Sequence, residues 1–138
     1  WPEAVCVYPQ GLPTPGKLTD PEGKKAGWQH TAGEQGDRDL AFFDEVMKTL
    51  KADHGIDERR VYATGHSNGG RFTYLLWARR GDALAAVAPS ASPAGGLFGN
   101  LKPKPCLHVA GEKDATVPFE TQKKTMEAVR RLNGCDAD

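Results

Sequence analysis

Apolar residues along this chain follow two spacings, which predict strands and helices in turn. Short apolar runs bounded by glycine, proline or charged residues predict strands, and longer stretches with apolar residues every three or four positions predict helices. The predicted order is strand 4–8, helix 37–53, strand 60–64, helix 68–80, strand 84–88, strand 105–110 and helix 119–132. Strands that alternate with helices indicate the α/β class, with a mostly parallel sheet flanked by helices on both faces.

The first two predicted helices have clear inward faces. Their apolar residues recur at helical spacing, and we expect these side chains to pack against the sheet. They are Leu40, Phe43, Met47 and Leu50 in the first helix, and Phe72, Leu75, Leu76 and Trp77 in the second. Asp37, at the start of the first helix, is a candidate N-cap, because a short carboxylate can accept hydrogen bonds from the first amides of a helix.

Two long irregular stretches, Pro9–Gln35 and Ser90–Lys104, interrupt the pattern. Both are rich in glycine and proline and both follow predicted strands, so we interpret them as active-site loops and not as domain linkers. Residues 1–138 are accordingly interpreted as part of a single catalytic domain. Trp28, in the first loop, is expected either to line a substrate cleft or to anchor the loop.

The most informative segment is RVYATGHSNGG at residues 60–70. It contains a G-x-S-x-G motif between a predicted strand and a predicted helix, which is the context that this nucleophile turn requires. Ser67 is therefore the candidate nucleophile, and the main-chain amide of Asn68 is a candidate oxyanion donor at the helix N-terminus. We expect that a Cβ at Gly65 or Gly69 would collide with the neighbouring strand or helix.

A serine of this kind needs an acid and a base, in the chain order Ser, Asp or Glu, His. Asp114 is the leading acid candidate because it lies in the loop after strand 105–110, where α/β sheets assemble their sites. Ordinary turn chemistry is the alternative explanation for an aspartate in a glycine-containing turn. Glu112 and Asp82 are weaker acid candidates.

The base is harder to place. The four histidines are His30, His54, His66 and His108, and none follows Asp114. His66 adjoins the nucleophile but should point away from it, His108 lies within a predicted strand, and His54 lies at a helix end. His30 is a minor candidate from a polar loop. We expect the base to lie beyond Asp138 and the domain to continue past both ends of the chain, because no earlier strand supplies a second oxyanion loop.

Composition limits the partners. Eighteen basic residues balance eighteen acidic residues, so charge favours neither nucleic acid nor an anionic membrane surface. No apolar run reaches transmembrane length. The chemistry needs no metal or organic cofactor, and no cysteine–histidine cluster has zinc-site spacing. Cys6 and Cys106, on predicted strands, are expected to be small core residues, whereas Cys135 follows a helix.

An ordered series of motifs covers nearly the whole chain. It comprises VYPQG at 7–11, GW at 27–28, GHSNGG at 65–70, GxxDxxVP at 111–118 and NGC at 133–135. This series resembles the polyhydroxybutyrate depolymerase and feruloyl esterase group of the α/β-hydrolase superfamily. The resemblance implies Ser67 as nucleophile, Asp114 as the acid of a catalytic triad, a disulfide at Cys135, and secretion or periplasmic export. It also implies a catalytic histidine and an N-terminal oxyanion loop, which have no counterpart in these 138 residues.

The leading functional hypothesis is hydrolysis of a carboxylic ester by a serine nucleophile. The substrate class would be a feruloyl or acetyl ester on polysaccharide, or a polyhydroxyalkanoate. Trp28 and His66 are candidate substrate contacts. A serine peptidase of the same fold is one alternative. A non-catalytic hydrolase-like domain that binds carbohydrate or another protein is the second alternative, because exposed sheet edges can pair with other chains.

Overall fold

A parallel pair of strands forms the centre of the fold in a computed structural model that describes residues 2–16 and 20–135. Strand β3 (Tyr62–His66) pairs in parallel with β4 (Ala86–Ser90), with Tyr62 opposite Ala86 and His66 opposite Ser90. Residues 105–109 extend the ladder on the far side of β4 through parallel bridges at Cys106 and Val109. The predicted strands at 60–64 and 84–88 are confirmed, although each begins and ends two residues later than expected. The predicted strand at 105–110 is present only as two isolated parallel bridges.

Helix α2 (Asn68–Arg80) connects β3 to β4 and forms the centre of the core. Its predicted inward residues Phe72, Leu75, Leu76 and Trp77 are all buried. Burying one large apolar side chain of this kind is worth about 1.5–3 kcal/mol, so this helix contributes a large part of the packing. The Trp77 indole N–H also donates a 3.0 Å hydrogen bond to the Lys102 carbonyl, which satisfies its only polar atom.

Two further helices pack against this core. Helix α1 spans Arg38–His54 and helix α3 spans Phe119–Leu132, which confirms the predicted helices to within one residue at each end. Among the described residues, none of the helices is long and apolar enough to cross a membrane. A bidentate pair joins α1 to α2, since Nε and Nη2 of Arg80 donate to the two carboxylate oxygens of Asp44, each at 2.7 Å.

The predicted N-cap of α1 is wrong. Asp37 has a left-handed backbone, and its side chain caps no amide of the helix. Its carboxylate instead accepts bonds from the Gly33 amide and the Gln29 side chain. The fully buried Gln29 performs the capping from a distant loop, because its Oε1 accepts from the amides of Asp39 and Leu40. A cap supplied from ten and eleven residues upstream has no local sequence signal.

The predicted buried strand at residues 4–8 is also wrong. These residues have no assigned strand in the described part of the chain, and Tyr8 is 90% exposed. Cys6 is exposed as well, contrary to its expected place in the core. The segment is apolar enough for a strand, but a strand needs a neighbour, and the described residues place none beside it. A short antiparallel hairpin of β1 (Leu12–Pro13) and β2 (Ala26–Gly27) follows.

The helices lie over one face of the sheet, and the other face is open in the described residues. Leu40 of α1, Val129 of α3 and the inward residues of α2 belong to one continuous core. On the opposite face, Tyr62, Leu107 and Val109 are each more than half exposed. The α/β class is thus confirmed, with helical cover visible on one of the two faces that were predicted to carry it.

Candidate active site

Ser67 lies at the turn between β3 and α2. Its backbone angles are φ 53° and ψ −115°, a conformation that costs a non-glycine residue free energy and persists only where surrounding structure imposes it. The Ser67 amide continues the sheet ladder by donating to the Ser90 carbonyl at 2.9 Å, and the Ser67 carbonyl accepts from Arg71 in the helix at 3.0 Å. The residue is therefore fixed by the strand on one side and the helix on the other, with an exposed side chain.

Two glycines make this turn possible, and only one of them was predicted. A Cβ on Gly65 would overlap the carbonyl of Gly69. A Cβ on Gly70 would lie 2.6 Å from the Ser90 carbonyl oxygen and 2.9 Å from the Ser92 Cβ. The expectation for Gly69 is wrong, because a Cβ there would meet nothing within 4 Å. The close approach of helix and sheet falls on the third residue of α2 and not on its second.

These contacts predict a difference between three adjacent alanine substitutions. Gly65→Ala and Gly70→Ala should each lower the free energy of unfolding by about 1–3 kcal/mol or more, since the new methyl meets backbone that cannot move aside. Gly69→Ala should be neutral or stabilising by up to about 1 kcal/mol, because alanine is the better helix former. Urea unfolding of the three variants would test this, and a Gly69→Ala variant as unstable as the other two would contradict it.

The Asn68 side chain joins the turn to the Pro9–Gln35 loop. Its Oδ1 accepts from the Trp28 amide at 2.7 Å, and its Nδ2 donates to the Trp28 carbonyl at 3.0 Å. The same Nδ2 lies 2.7 Å from Nε2 of His30. One carboxamide thus holds both polar backbone groups of Trp28 and contacts His30 from the residue that follows the candidate nucleophile. Sequence reasoning considered only the main-chain amide of Asn68 and missed these contacts.

Trp28 itself is partly buried in an aromatic stack. Its ring centroid is 5.1 Å from that of Phe72 in α2 and 6.3 Å from that of Phe42 in α1. Of its two predicted roles, this geometry supports loop anchoring. A substrate contact by Trp28 stays a prediction.

The loop is also attached to α1. Gln29 donates its amide to Oδ2 of the buried Asp39 at 2.7 Å, while Asp39 forms a 2.9 Å ion pair with Arg38. Arg38 reaches the Thr14 hydroxyl at 2.7 Å, which ties in the β1–β2 hairpin. The Pro9–Gln35 stretch therefore contacts the turn between β3 and α2, and its role as an active-site loop stays a prediction.

Asp114 lies after the third ladder segment, at the same end of the sheet as Ser67. Its Oδ1 accepts from the amides of Thr116 and Val117, both at 2.9 Å. The Val117 amide, the Thr116 amide and, less strongly, the Gln122 side chain and the nearby His66 lower the pKa of this carboxyl below its ordinary value of 3.8. Asp114 is therefore a carboxylate at neutral pH. The two turn amides both donate to the same carboxylate oxygen, Oδ1.

The two weaker acid candidates differ in position. Asp82 lies beyond the C-terminal end of α2, where it is exposed and pairs with Lys102 at 3.5 Å. A 13-residue helix is about 20 Å long, so Asp82 is a helix length away from Ser67 at the N-terminus of α2. Glu112 lies in the same loop as Asp114 and is exposed.

The histidines near the sheet have different environments. His66 has Nδ1 2.8 Å from the Ser90 hydroxyl and remains exposed, consistent with the expected polar contact. His108 points into the core, with Nδ1 2.7 Å from the Tyr74 hydroxyl and Nε2 3.3 Å from Oε1 of Gln122. Burial lowers the pKa of His108, so this imidazole is neutral at neutral pH. His54 ends α1, as predicted.

Other reactive groups do not form a metal site. Within residues 2–16 and 20–135, no three His, Cys, Asp or Glu side chains are grouped closely enough to hold a metal ion. Cys106 packs against the core as predicted, and burial raises its pKa to about 11. Its thiol is therefore protonated and unreactive at neutral pH. Cys135 is an exposed free thiol.

The sequence is similar to several proteins that are named as esterases. A probable feruloyl esterase C of Aspergillus clavatus is 34% identical over 116 residues, which cover 83% of this chain and 41% of that protein. Feruloyl esterase C of Emericella nidulans is 32% identical over 116 residues, with 83% and 42% covered. A bifunctional acetylxylan esterase/xylanase of Neocallimastix patriciarum is 34% identical over 89 residues, with 62% and 13% covered. The chain spans less than half the length of these relatives.

Comparison with solved structures agrees on the fold. The crystal structure of a thermostable esterase superimposes with a TM-score of 0.62 at 24% identity, covering 69% of this chain and 26% of that one. The match places the chain in the α/β-hydrolase fold. No protein-family model matches the sequence.

Proposed function

Because the chain belongs to the α/β-hydrolase group that includes the feruloyl esterases, we propose that the protein hydrolyses carboxylic esters with Ser67 as nucleophile. The observation that carries this proposal is the strained backbone of Ser67 at the junction of β3 and α2. The side chain is exposed at this turn, so a substrate carbonyl can approach its hydroxyl.

In the proposed mechanism, Ser67 Oγ attacks the ester carbonyl while a histidine removes the hydroxyl proton. The main-chain amide of Asn68 lies in the first turn of α2, where amides lack partners within the helix. It would donate to the oxyanion of the tetrahedral intermediate, together with the favourable field of the helix N-terminus. The histidine then protonates the departing alcohol, which leaves an acyl-serine. In the second half of the reaction the histidine removes a proton from water, the water attacks the acyl carbon, and the histidine returns the proton to Ser67 Oγ.

Asp114 would orient that histidine. Its lowered pKa keeps it ionised. Because both turn amides donate to Oδ1, the imidazole N–H would donate to Oδ2. This arrangement would hold the base in the tautomer that can take the serine proton, and would stabilise the imidazolium that forms.

We place the proposed base outside residues 1–138. His54 ends the outer helix α1, and His108 lies between Tyr74 and Gln122 in the core. His66 faces Ser90. His30, which contacts Asn68, is the rival base within the chain.

A labelling experiment tests both the nucleophile and the base. The full-length gene product should hydrolyse p-nitrophenyl acetate and react with a fluorophosphonate at Ser67, whereas the isolated 1–138 chain should do so at least about 100-fold more slowly, because an unassisted serine is a weak nucleophile. Mass spectrometry of the labelled peptide identifies the site. Rapid labelling of the 1–138 chain that disappears in His30→Ala would overturn the proposed base and assign it to His30.

The substrate class follows from the relatives' names. We propose that the ester is a hydroxycinnamoyl or acetyl group on a polysaccharide, and that the protein is secreted to reach it. Comparing methyl ferulate, acetylated xylan and poly-3-hydroxybutyrate as substrates would distinguish these esters from the polyester alternative.

A second candidate function is a non-catalytic binding domain. The exposed apolar face around Tyr62, Leu107 and Val109 favours it, because large exposed apolar patches often mark interaction sites. Absence of ester turnover and of Ser67 labelling in the full-length gene product would favour this candidate.

A further inference from the structure

The Asn68 side chain makes contacts that a residue needed only for its main-chain amide would not require. Its carboxamide grips the amide and the carbonyl of Trp28 and also contacts His30, about forty positions earlier in the chain. These bonds span 2.7–3.0 Å, which is good hydrogen-bond geometry. The neighbouring backbone is adapted to the carboxamide, since a Cβ on Gly27 would lie 3.3 Å from Asn68 Oδ1.

The gripped loop is held firmly on its other side. Gln29 is fully buried, donates its amide to Asp39, and caps the first amides of α1. Residues 28–30 are therefore fixed between α1 and α2. Asn68 supplies the hydrogen bonds to α2, beside the stacking of Trp28 on Phe72. A change at Asn68 would remove these hydrogen bonds to the nucleophile turn and leave the attachment of the loop to α1 in place.

We propose that Asn68 is a positioning residue whose side chain holds the 27–30 loop against the nucleophile turn and thereby sets the orientation of the oxyanion amide. The inference rests on the proposed esterase function. Asn68 is the first residue of α2, so its side chain and the amide that would bind the oxyanion belong to the same residue. Fixing the side chain at two points restricts rotation of that peptide group, and preorganised donors stabilise a transition state without reorganisation during the reaction.

The chain supplies a matched control. Asn133 grips Lys104 in the same way, with Oδ1 2.9 Å from the Lys104 amide and Nδ2 2.8 Å from its carbonyl. Lys104 precedes the third ladder segment, whereas Ser67 follows the carboxyl end of β3. The two amide grips are therefore separated by the length of a strand, roughly 16 Å.

The test compares Asn68→Ala with Asn133→Ala in the full-length gene product. Asn68→Ala should lower kcat by about 10- to 100-fold with KM changed less than about threefold, because misplacing a transition-state donor affects the chemical step more than ground-state binding. Asn133→Ala should leave kcat within about twofold. Should alanine at position 68 prevent folding, Asn68→Asp against Asn133→Asp repeats the comparison, since aspartate preserves size and removes the donors to Trp28 and His30.

Hydrogen exchange provides the readout for the grip itself. The Trp28 amide should exchange at least about tenfold faster in Asn68→Ala than in the unmodified protein. Equal kcat values for the Asn68 and Asn133 variants, in a protein whose Ser67 is active, would overturn the positioning role while leaving the esterase function intact. An unmodified protein without turnover or Ser67 labelling would instead overturn the proposed function.

Discussion

Ser67→Ala should abolish ester hydrolysis by the full-length gene product and leave its fold unchanged. The change removes the only atom proposed to bond to the acyl carbon, and loss of a triad nucleophile costs about 10⁶-fold in kcat in a well-studied serine protease. The fold should tolerate the change, because the Ser67 side chain is exposed. The hydrogen bonds that join Ser67 to Ser90 in the sheet and to Arg71 in the helix use only backbone atoms. Alanine also meets the same strain at φ 53° that serine does.

Turnover of p-nitrophenyl acetate measures the activity of the variant, and its circular dichroism spectrum checks that the fold is unchanged. Ser90→Ala is a suitable control, since this serine lies at the same edge of the sheet and its hydroxyl contacts His66. It should cost less than about tenfold, in line with loss of one polar contact outside the reacting atoms. Turnover retained by Ser67→Ala would remove Ser67 from the mechanism.

The elements around the nucleophile could be predicted because their signals are local. Spacing alone gave the inward face of α2, and the turn between β3 and α2 follows from a motif of five consecutive residues. The strand at 4–8 could not be judged this way, because pairing depends on a neighbour elsewhere in the chain. The same limit explains Asp37, whose expected place as cap is taken by Gln29.

In the candidate site, too, features with a local sequence signal were predicted and features that depend on distant residues were not. Ser67 and Asp114 were found from sequence, and the structure places both at the carboxyl end of the sheet, although their catalytic roles stay predictions. The requirement at Gly70 depends on the rotational phase of α2 against β4, which the motif does not encode. The contacts of Asn68 join residues forty positions apart, and only the folded chain brings them together.

Asp114→Asn should lower kcat by about 10⁴-fold, by analogy with the same change in a serine protease triad. Asparagine keeps an oxygen that can accept from the Thr116 and Val117 amides, so the turn should persist. Its NH₂ group would replace Oδ2, and a donor there cannot accept the imidazole N–H. The base would then be held in the wrong tautomer. Comparing Asp114→Asn with the unmodified protein therefore tests the charge and the hydrogen-bond polarity of the side chain while its shape stays the same.

The matched control is Glu112→Gln, two residues earlier in the same exposed loop, which should change kcat by less than about threefold because no catalytic contact is proposed for it. The pH dependence gives a second check. Since turn amides lower the pKa of Asp114 below 3.8, its carboxylate protonates only as the pH falls past that value, and the acidic limb of the rate profile should report the histidine instead. If Glu112→Gln were the more damaging change, the acid would be Glu112, and the hydrogen bonds that Asp114 accepts would serve the turn alone.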